Sequence, residues 1–255
     1  MNVVVLLKQV PDLVEELELD ATGQRVAPAR HVLNEFDDHA LEQALLLKER
    51  YGGQVIALAL DWGEVDESLF MALAKGADRA VKITGDFEHR DNHTAAQVFQ
   101  SIIKALSYDL ILTGVQAVDD LDGQLGPMLA ALLKLPYVGV VTGVTVELAT
   151  KSCTVLKEYP GGVRMELEIS LPAVLGIQAA EKPPRYVPIG RLRQVMKSAK
   201  IEEMPAGEIP PAAGLGMQRL FKPEVAGRAE MLSGTPEEAV SQLVRILREK
   251  GLVKG

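Results

Sequence analysis

The sequence predicts an α/β protein built on a doubly wound, mostly parallel sheet, with added edge strands and a C-terminal arm that ends in a helix. Three observations carry that expectation. Continuous apolar runs such as Val3 to Gln9 are too evenly hydrophobic for a half-exposed strand and fit one buried on both faces. These runs alternate with segments whose apolar residues recur at helical spacing. Glycines punctuate the junctions, where a helix stops and the chain turns toward the next strand.

Taken in order, Val3 to Gln9 reads as the first central strand, and Leu17 to Val26 as a small hairpin around the turn-rich Asp20 to Gly23. Asp37 or Asp38 is expected to cap a helix carrying Leu41, Ala44, Leu45 and Leu47, which ends before Gly52 and Gly53. Gln54 to Leu60 is a second strand, Asp66 to Lys75 a helix stopped at Gly76, and Arg79 to Ile83 a third strand. Behind Asp91 and Asn92, the residues Ala95, Val98, Phe99, Ile102, Ile103 and Leu106 form a helical stripe, and Leu110 to Thr113 follows as a fourth strand. Strands alternating with helices at this spacing imply a parallel sheet with helices on both faces.

After a helix over Met128 to Leu133 and Pro136 the texture turns to β: Gly139 to Leu148, Cys153 to Tyr159 and Val163 to Ser170, with Pro160 to Gly162 as a hairpin turn, are expected as strands on the sheet edge. Prolines at 183, 184, 188, 205, 210 and 211 then favour an extended arm without regular structure. The last element is well specified: Thr235 as N-cap, Pro236 at the first helical position, Glu238 completing a capping box and Gly251 as stop. This helix either docks on a partner or folds back on its own domain. The expected division is an α/β domain over 1–182 and an extended arm with a terminal helix over 183–255.

Composition excludes several functions. A net charge of −8, from 27 basic and 35 acidic residues, repels phosphate backbones and anionic membranes, so nucleic acid is not an expected partner. The single cysteine, Cys153, rules out an intramolecular disulfide and a Cys-x-x-Cys redox pair, and fits a reducing, cytoplasmic setting. The apolar start meets Pro11 too early for a membrane span, so no direct membrane insertion is expected.

In open parallel sheets the ligand crevice lies at the carboxyl ends of the strands. The richest loop there is Gly114 to Pro127, with Asp119, Asp120, Asp122 and Gln124 before a helix start at which Gly123 and Gly126 let the backbone approach an anion. The residues alone leave it open as a phosphate cradle or an ordinary connecting loop. No G-x-G-x-x-G follows the first strand, Gly214 and Gly216 lack the strand-helix context, and no P-loop lysine motif occurs. His31, His39, His89 and His93 read as solvated surface residues rather than metal ligands, and the aspartates of the loop have no spacing that defines a coordination shell. Neither a catalytic residue nor a metal site is expected.

At Gly114 to Pro127 the chain resembles the characteristic loop of electron-transfer flavoprotein beta subunits. Val5 to Asp12, Asn34 to Ala44, Ala72 to Arg79, Pro184 to Tyr186 and Met196 to Glu202 agree with that family in the same order. The resemblance implies a heterodimer in which an alpha subunit holds the working FAD, while this chain buries AMP or, in bifurcating members, a second FAD. It implies nucleotide contacts at Leu6, Asn34, Leu60, Asp61, Trp62, Asp119, Gly123, Gln124, Leu125 and Gly126. Two departures stand out: Gly123-Gln124-Leu125 replaces Asn-Gln-Thr, removing an amide and a hydroxyl, and Asp61-Trp62 replaces a small Gly-Pro turn.

The same resemblance implies that Pro184, Arg185, Tyr186 and Ile189 anchor the protein on acyl-CoA or related flavin dehydrogenases, with Ile189 as the apolar anchor. Electrons would pass to an electron-transfer flavoprotein–quinone oxidoreductase or another acceptor. The implied role is a carrier without bond-making chemistry of its own; the alternatives are a bifurcating complex that oxidises NADH and a stand-alone adenine-nucleotide sensor.

Overall fold

The computed structural model describes the chain except residues 15, 24–25, 28–29, 64, 88–90, 120, 212–217, 223–228, 230 and 254–255, so His89, Asp120, Gly214 and Gly216 lie outside the described residues. Two compact units are present, Met1–Arg219 and Leu220–Gly255.

In the first unit the elements are, in chain order, β1 (Asn2–Leu7), β2 (Gln9–Pro11), β3 (Glu18–Leu19), β4 (Val26–Ala27), β5 (His31–Leu33), α1 (Glu35–Tyr51), β6 (Gln54–Leu60), α2 (Val65–Lys75), β7 (Arg79–Thr84), α3 (Asn92–Ile103), β8 (Leu110–Gly114), α4 (Leu125–Leu133), β9 (Tyr137–Glu147), β10 (Ser152–Tyr159), β11 (Val163–Ser170), β12 (Ala173–Ile177), α5 (Ile189–Ser198) and β13 (Glu202–Pro205). Nine strands form the main sheet in the order β11-β10-β9-β12-β8-β1-β6-β7-β13. The block from β12 to β13 is parallel, and β10 and β11 continue it as an antiparallel edge.

The continuous apolar runs are explained by burial on both faces. Val3, Val5, Leu7, Val55, Ala57, Leu110 and Leu112 face the cluster that includes Leu41 and Leu45 of α1 and Leu69 of α2. The alternate residues Val4, Leu6, Ile56, Leu58 and Ile111 face Phe99 and Ile103 of α3 and Leu129 of α4. With helices on both sides of one sheet, the doubly wound expectation holds.

Four details differ from the sequence reading. The helix α1 starts at Glu35 with Asn34 at its N-cap, so Asp37 and Asp38 lie inside its first turn and neither caps it. The helix α4 starts at Leu125, three residues before the expected Met128. Ala173–Ile177, unanticipated, inserts as β12 between β8 and β9; it is a five-residue apolar run wholly buried. The segment after Lys182 is not uniformly extended, because its prolines flank rather than fill Ile189–Ser198: α5 forms there and packs on α2, and β13 adds in parallel to β7.

The long strand β9 joins two kinds of pairing. Its start runs parallel to β12 and its end antiparallel to β10, and the pairing skips Val140, whose φ of 61° marks a bulge that bends the strand.

In the second unit, α6 (Pro236–Glu249) has the expected capping box, with Thr235 accepting the Glu238 N–H and Glu238 accepting the Thr235 N–H. Val240, Leu243 and Val244 on this helix are exposed.

Candidate functional site

The chain runs from β1 to β6 and β7 on one side, then returns through α3 to β8 on the other side of β1. Strand order therefore reverses between β1 and β8, the place where open α/β sheets leave a ligand crevice. A cleft partly open to solvent lies at that reversal. It is walled by Lys8 after β1, Asn34 and Asp37 of the α1 start, Thr113 to Ala117 at the end of β8 and beyond it, Asn92 of α3, and Asp122 to Gly126 leading into α4.

Asp37 holds the floor together. Its Oδ2 accepts the Lys8 N–H at 2.8 Å and its Oδ1 the Gly114 N–H at 2.8 Å, so one carboxyl joins the carboxyl ends of both strands that flank the reversal. Burial pushes this carboxyl up to about 7, against the two backbone donors, Asn34 and the Lys8 charge. Gly114 leaves the room required: a Cβ there would sit 2.5 Å from Asp37 Oδ1 and 2.7 Å from Phe36 Cβ.

The helix end of the cleft presents donors. In the first turn of α4, Pro127 has no N–H and the Met128 N–H is taken by the Gln124 carbonyl, while the Gln124 N–H goes to Asp122 Oδ1. The N–H groups of Leu125 and Gly126 have no protein partner among the described residues and carry the positive end of the helix dipole. Gly123 adopts φ 61°, and a Cβ on it would meet the Val115 carbonyl at 2.9 Å. Beneath this turn the Thr113 hydroxyl is buried without a partner, as is Asn34 Oδ1, although Asn34 Nδ2 donates to the Gln116 carbonyl at 2.9 Å. Lys8, the cation among the described lining residues, pairs with Asp119 at 2.8 Å and lies 5.9 Å from the centre of the Trp62 ring.

Of the residues expected to contact a nucleotide, Asn34, Gly123, Gln124, Leu125 and Gly126 line the cleft, and Asp119 stands at its rim through Lys8. Leu60, Asp61 and Trp62 lie at the end of the neighbouring β6, with Trp62 exposed, and Leu6 is buried in the face packed against α3 and α4. Lys8, Asp37 and Thr113 belong to the cleft and were not singled out as site residues from sequence. Lys8 sits inside the Val5 to Asp12 motif, which was a usable signal; Asp37 looked like a helix cap, and Thr113 like an ordinary strand residue.

Arg185, expected at a partner surface, is 31% exposed and also tied to its own chain. Its guanidinium and N–H bind Glu42 of α1 at 2.9–3.1 Å, and Nη1 reaches Glu49 at 2.7 Å. Burial works to raise the Glu42 carboxyl, but the Arg185 hydrogen bonds and charge outweigh it and hold it below its usual value. Tyr186 and Ile189 on either side are 83% and 63% exposed. His39 and His93 are half-buried: His39 Nδ1 accepts the Ala180 N–H at 3.2 Å, and His93 Nδ1 is buried. No group of three or more His, Cys, Asp or Glu able to hold a metal occurs among the described residues, and no described helix is long and apolar enough to cross a membrane.

Fold and cleft together define a class, the doubly wound α/β proteins with a ligand crevice at the switch point of the sheet. Within it, residues 26–209 match the electron transfer flavoprotein domain. The chain is 32% identical to the electron transfer flavoprotein subunit beta of Methylophilus methylotrophus over 98% of both chains, and 29% identical to that of Sus scrofa over 99% of both. It is also 32% identical to the caffeyl-CoA reductase-Etf complex subunit CarD of Acetobacterium woodii, over 99% of this chain and 100% of that one. The chain belongs to the electron transfer flavoprotein beta-subunit family.

Proposed function

We propose that this chain is the beta subunit of a heterodimeric electron-transfer flavoprotein and holds AMP in the cleft between β1 and β8. The observation that carries the nucleotide reading is the α4 N-terminus, where two unpartnered N–H groups and two glycines meet the buried, unpartnered polar atoms of Thr113 and Asn34. The phosphate would lie against the Leu125 and Gly126 N–H groups, near Lys8, with Asn34 Oδ1 accepting from a hydroxyl or amino group of the nucleoside. An FAD on the alpha subunit would supply the redox chemistry; this chain's part is to wall the flavin and dock donors.

Docking on flavin dehydrogenases is assigned to the exposed Tyr186 and Ile189, held out by the Arg185–Glu42 pair and the turn at Pro188. A single apolar anchor suits a weak, transient electron-transfer complex. The acceptor would be a quinone-linked or similar flavoprotein oxidoreductase.

A second reading has a specific observation in its favour: the similarity to the Acetobacterium woodii protein named as part of a caffeyl-CoA reductase-Etf complex. In that reading the cleft holds a second FAD and the heterodimer bifurcates electrons. Co-production with the alpha subunit, acid release and chromatography separate the two. One FAD and one AMP per heterodimer is the expected result; two FAD without AMP would establish the second reading, and no adenine nucleotide beyond the alpha-subunit FAD would refute both.

A further inference from the structure

Thr113 is the penultimate residue of β8, and its side chain points to the same face of the sheet as Ile111, the face covered by α3 and α4. Its residue is 2% exposed, it lines the cleft, and its Oγ has no hydrogen-bond partner. Leaving a buried hydroxyl unpaired is costly, so such a group marks a place where a ligand or a water completes the bonding.

Gly126 lets the hydroxyl approach α4 closely. A Cβ on Gly126 would lie 3.0 Å from Thr113 Oγ and 2.8 Å from Tyr137 Cε2, so the hydroxyl sits directly under the first turn of α4, where only glycine leaves space. The turn supplies no hydroxyl of its own, being Leu125, Gly126, Pro127 and Met128, and its free donors are the Leu125 and Gly126 N–H groups. Thr113, Leu125 and Gly126 all line the same cleft, so one anion there has both the hydroxyl and the N–H groups beside it.

We propose that Thr113 is a phosphate-binding residue of this cleft, its Oγ donating from the strand side to the same anion that the α4 N–H groups bind from the helix side. The assignment rests on the nucleotide reading above and adds to it a side chain that favours a nucleoside monophosphate over the bare nucleoside. A hydroxyl donating to phosphate is a charge-assisted hydrogen bond, which makes its loss large enough to measure.

The test is calorimetric titration of the nucleotide-stripped full-length protein with AMP and, separately, with adenosine. Thr113→Val keeps the β-branched shape and removes the hydroxyl; Thr113→Ser keeps the hydroxyl. The expected result is AMP binding weakened by about tenfold or more in Thr113→Val, near-native AMP binding in Thr113→Ser, and unchanged adenosine binding in both. Equal AMP binding by wild type and Thr113→Val would overturn the assignment, since the hydroxyl would then be met by water alone. Equal loss of AMP and adenosine in both variants would overturn it too, as a packing effect. Wild-type protein that binds neither compound would instead bring down the nucleotide reading, and the assignment with it, a failure separable because it needs no variant.

Discussion

Asp37 shows how one side chain assembles the cleft. The two N–H groups it accepts belong to Lys8 and Gly114, at the ends of adjacent strands, so an acceptor is needed at both oxygens. An amide cannot accept twice there, because its NH2 would face a backbone N–H. Asp37→Asn is therefore expected to lower stability by about 1–3 kcal/mol in urea unfolding. The pH dependence has a definite sign. Since the folded value is raised from 3.8 to about 7, the stability Asp37 contributes is fully present below about pH 4 and is lost as pH rises through about 7. The stability gap between wild type and Asp37→Asn should narrow between pH 5 and pH 8; a gap that widens would contradict the assignment. Gly126 makes the complementary case, because Gly126→Ala would push a methyl against Tyr137 and Thr113 Oγ. Its expected effect is a loss of bound nucleotide, read by chromatography after acid release, with the far-UV circular dichroism spectrum retained.

At the scale of elements, α1 serves two sites at once. Its N-terminus helps wall the cleft through Asn34 and Asp37, and four residues beyond Asp38 the buried Glu42 holds Arg185 and with it the segment before α5. Arg185→Ala leaves the Glu42 carboxylate, with its side chain only 3% exposed, without its cation. Because Arg185 itself is partly exposed, the expected cost is nearer ~2 kcal/mol than the 3–5 kcal/mol of a fully buried pair, and a denaturation midpoint equal to wild type would contradict it. Ile189, the first residue of α5, makes no such internal tie and is largely exposed. Ile189→Ala should slow reduction by the partner dehydrogenase while flavin content stays unchanged. Lost flavin would show a packing role instead.

For the molecule as a whole, both hydrophobic clusters lie within the first unit, and none of their described members comes after Ile209. A chain ending at Arg219 should therefore retain a cooperative unfolding transition, with a midpoint close to that of the full chain; a broad, non-cooperative transition would show that the second unit is needed for the core. The exposed Val240, Leu243 and Val244 of α6 then leave that helix available for contacts outside the core. The sheet topology sets the position of the cleft independently of the side chains that line it, because the chain leaves β1 toward β6 and returns to β8 on the other side.

By itself the sequence determined the elements and their class: buried strands from uninterrupted apolar runs, helices from their spacing, and the α6 start from the order Thr235, Pro236, Glu238. Those signals are local, since each depends on residues within a turn or two of one another. It also carried the family, through motifs scattered along the chain in a fixed order. What only the tertiary structure decided are the partners: Asp37 with Gly114, 77 residues away, Arg185 with Glu42, 143 residues away, Thr113 beneath Gly126, and β12 inserted beside β8. Asp37 reads locally as a cap and Arg185 as a surface residue, because a side chain's role follows from what the folded sheet brings to it, and strand order is not written in any local pattern.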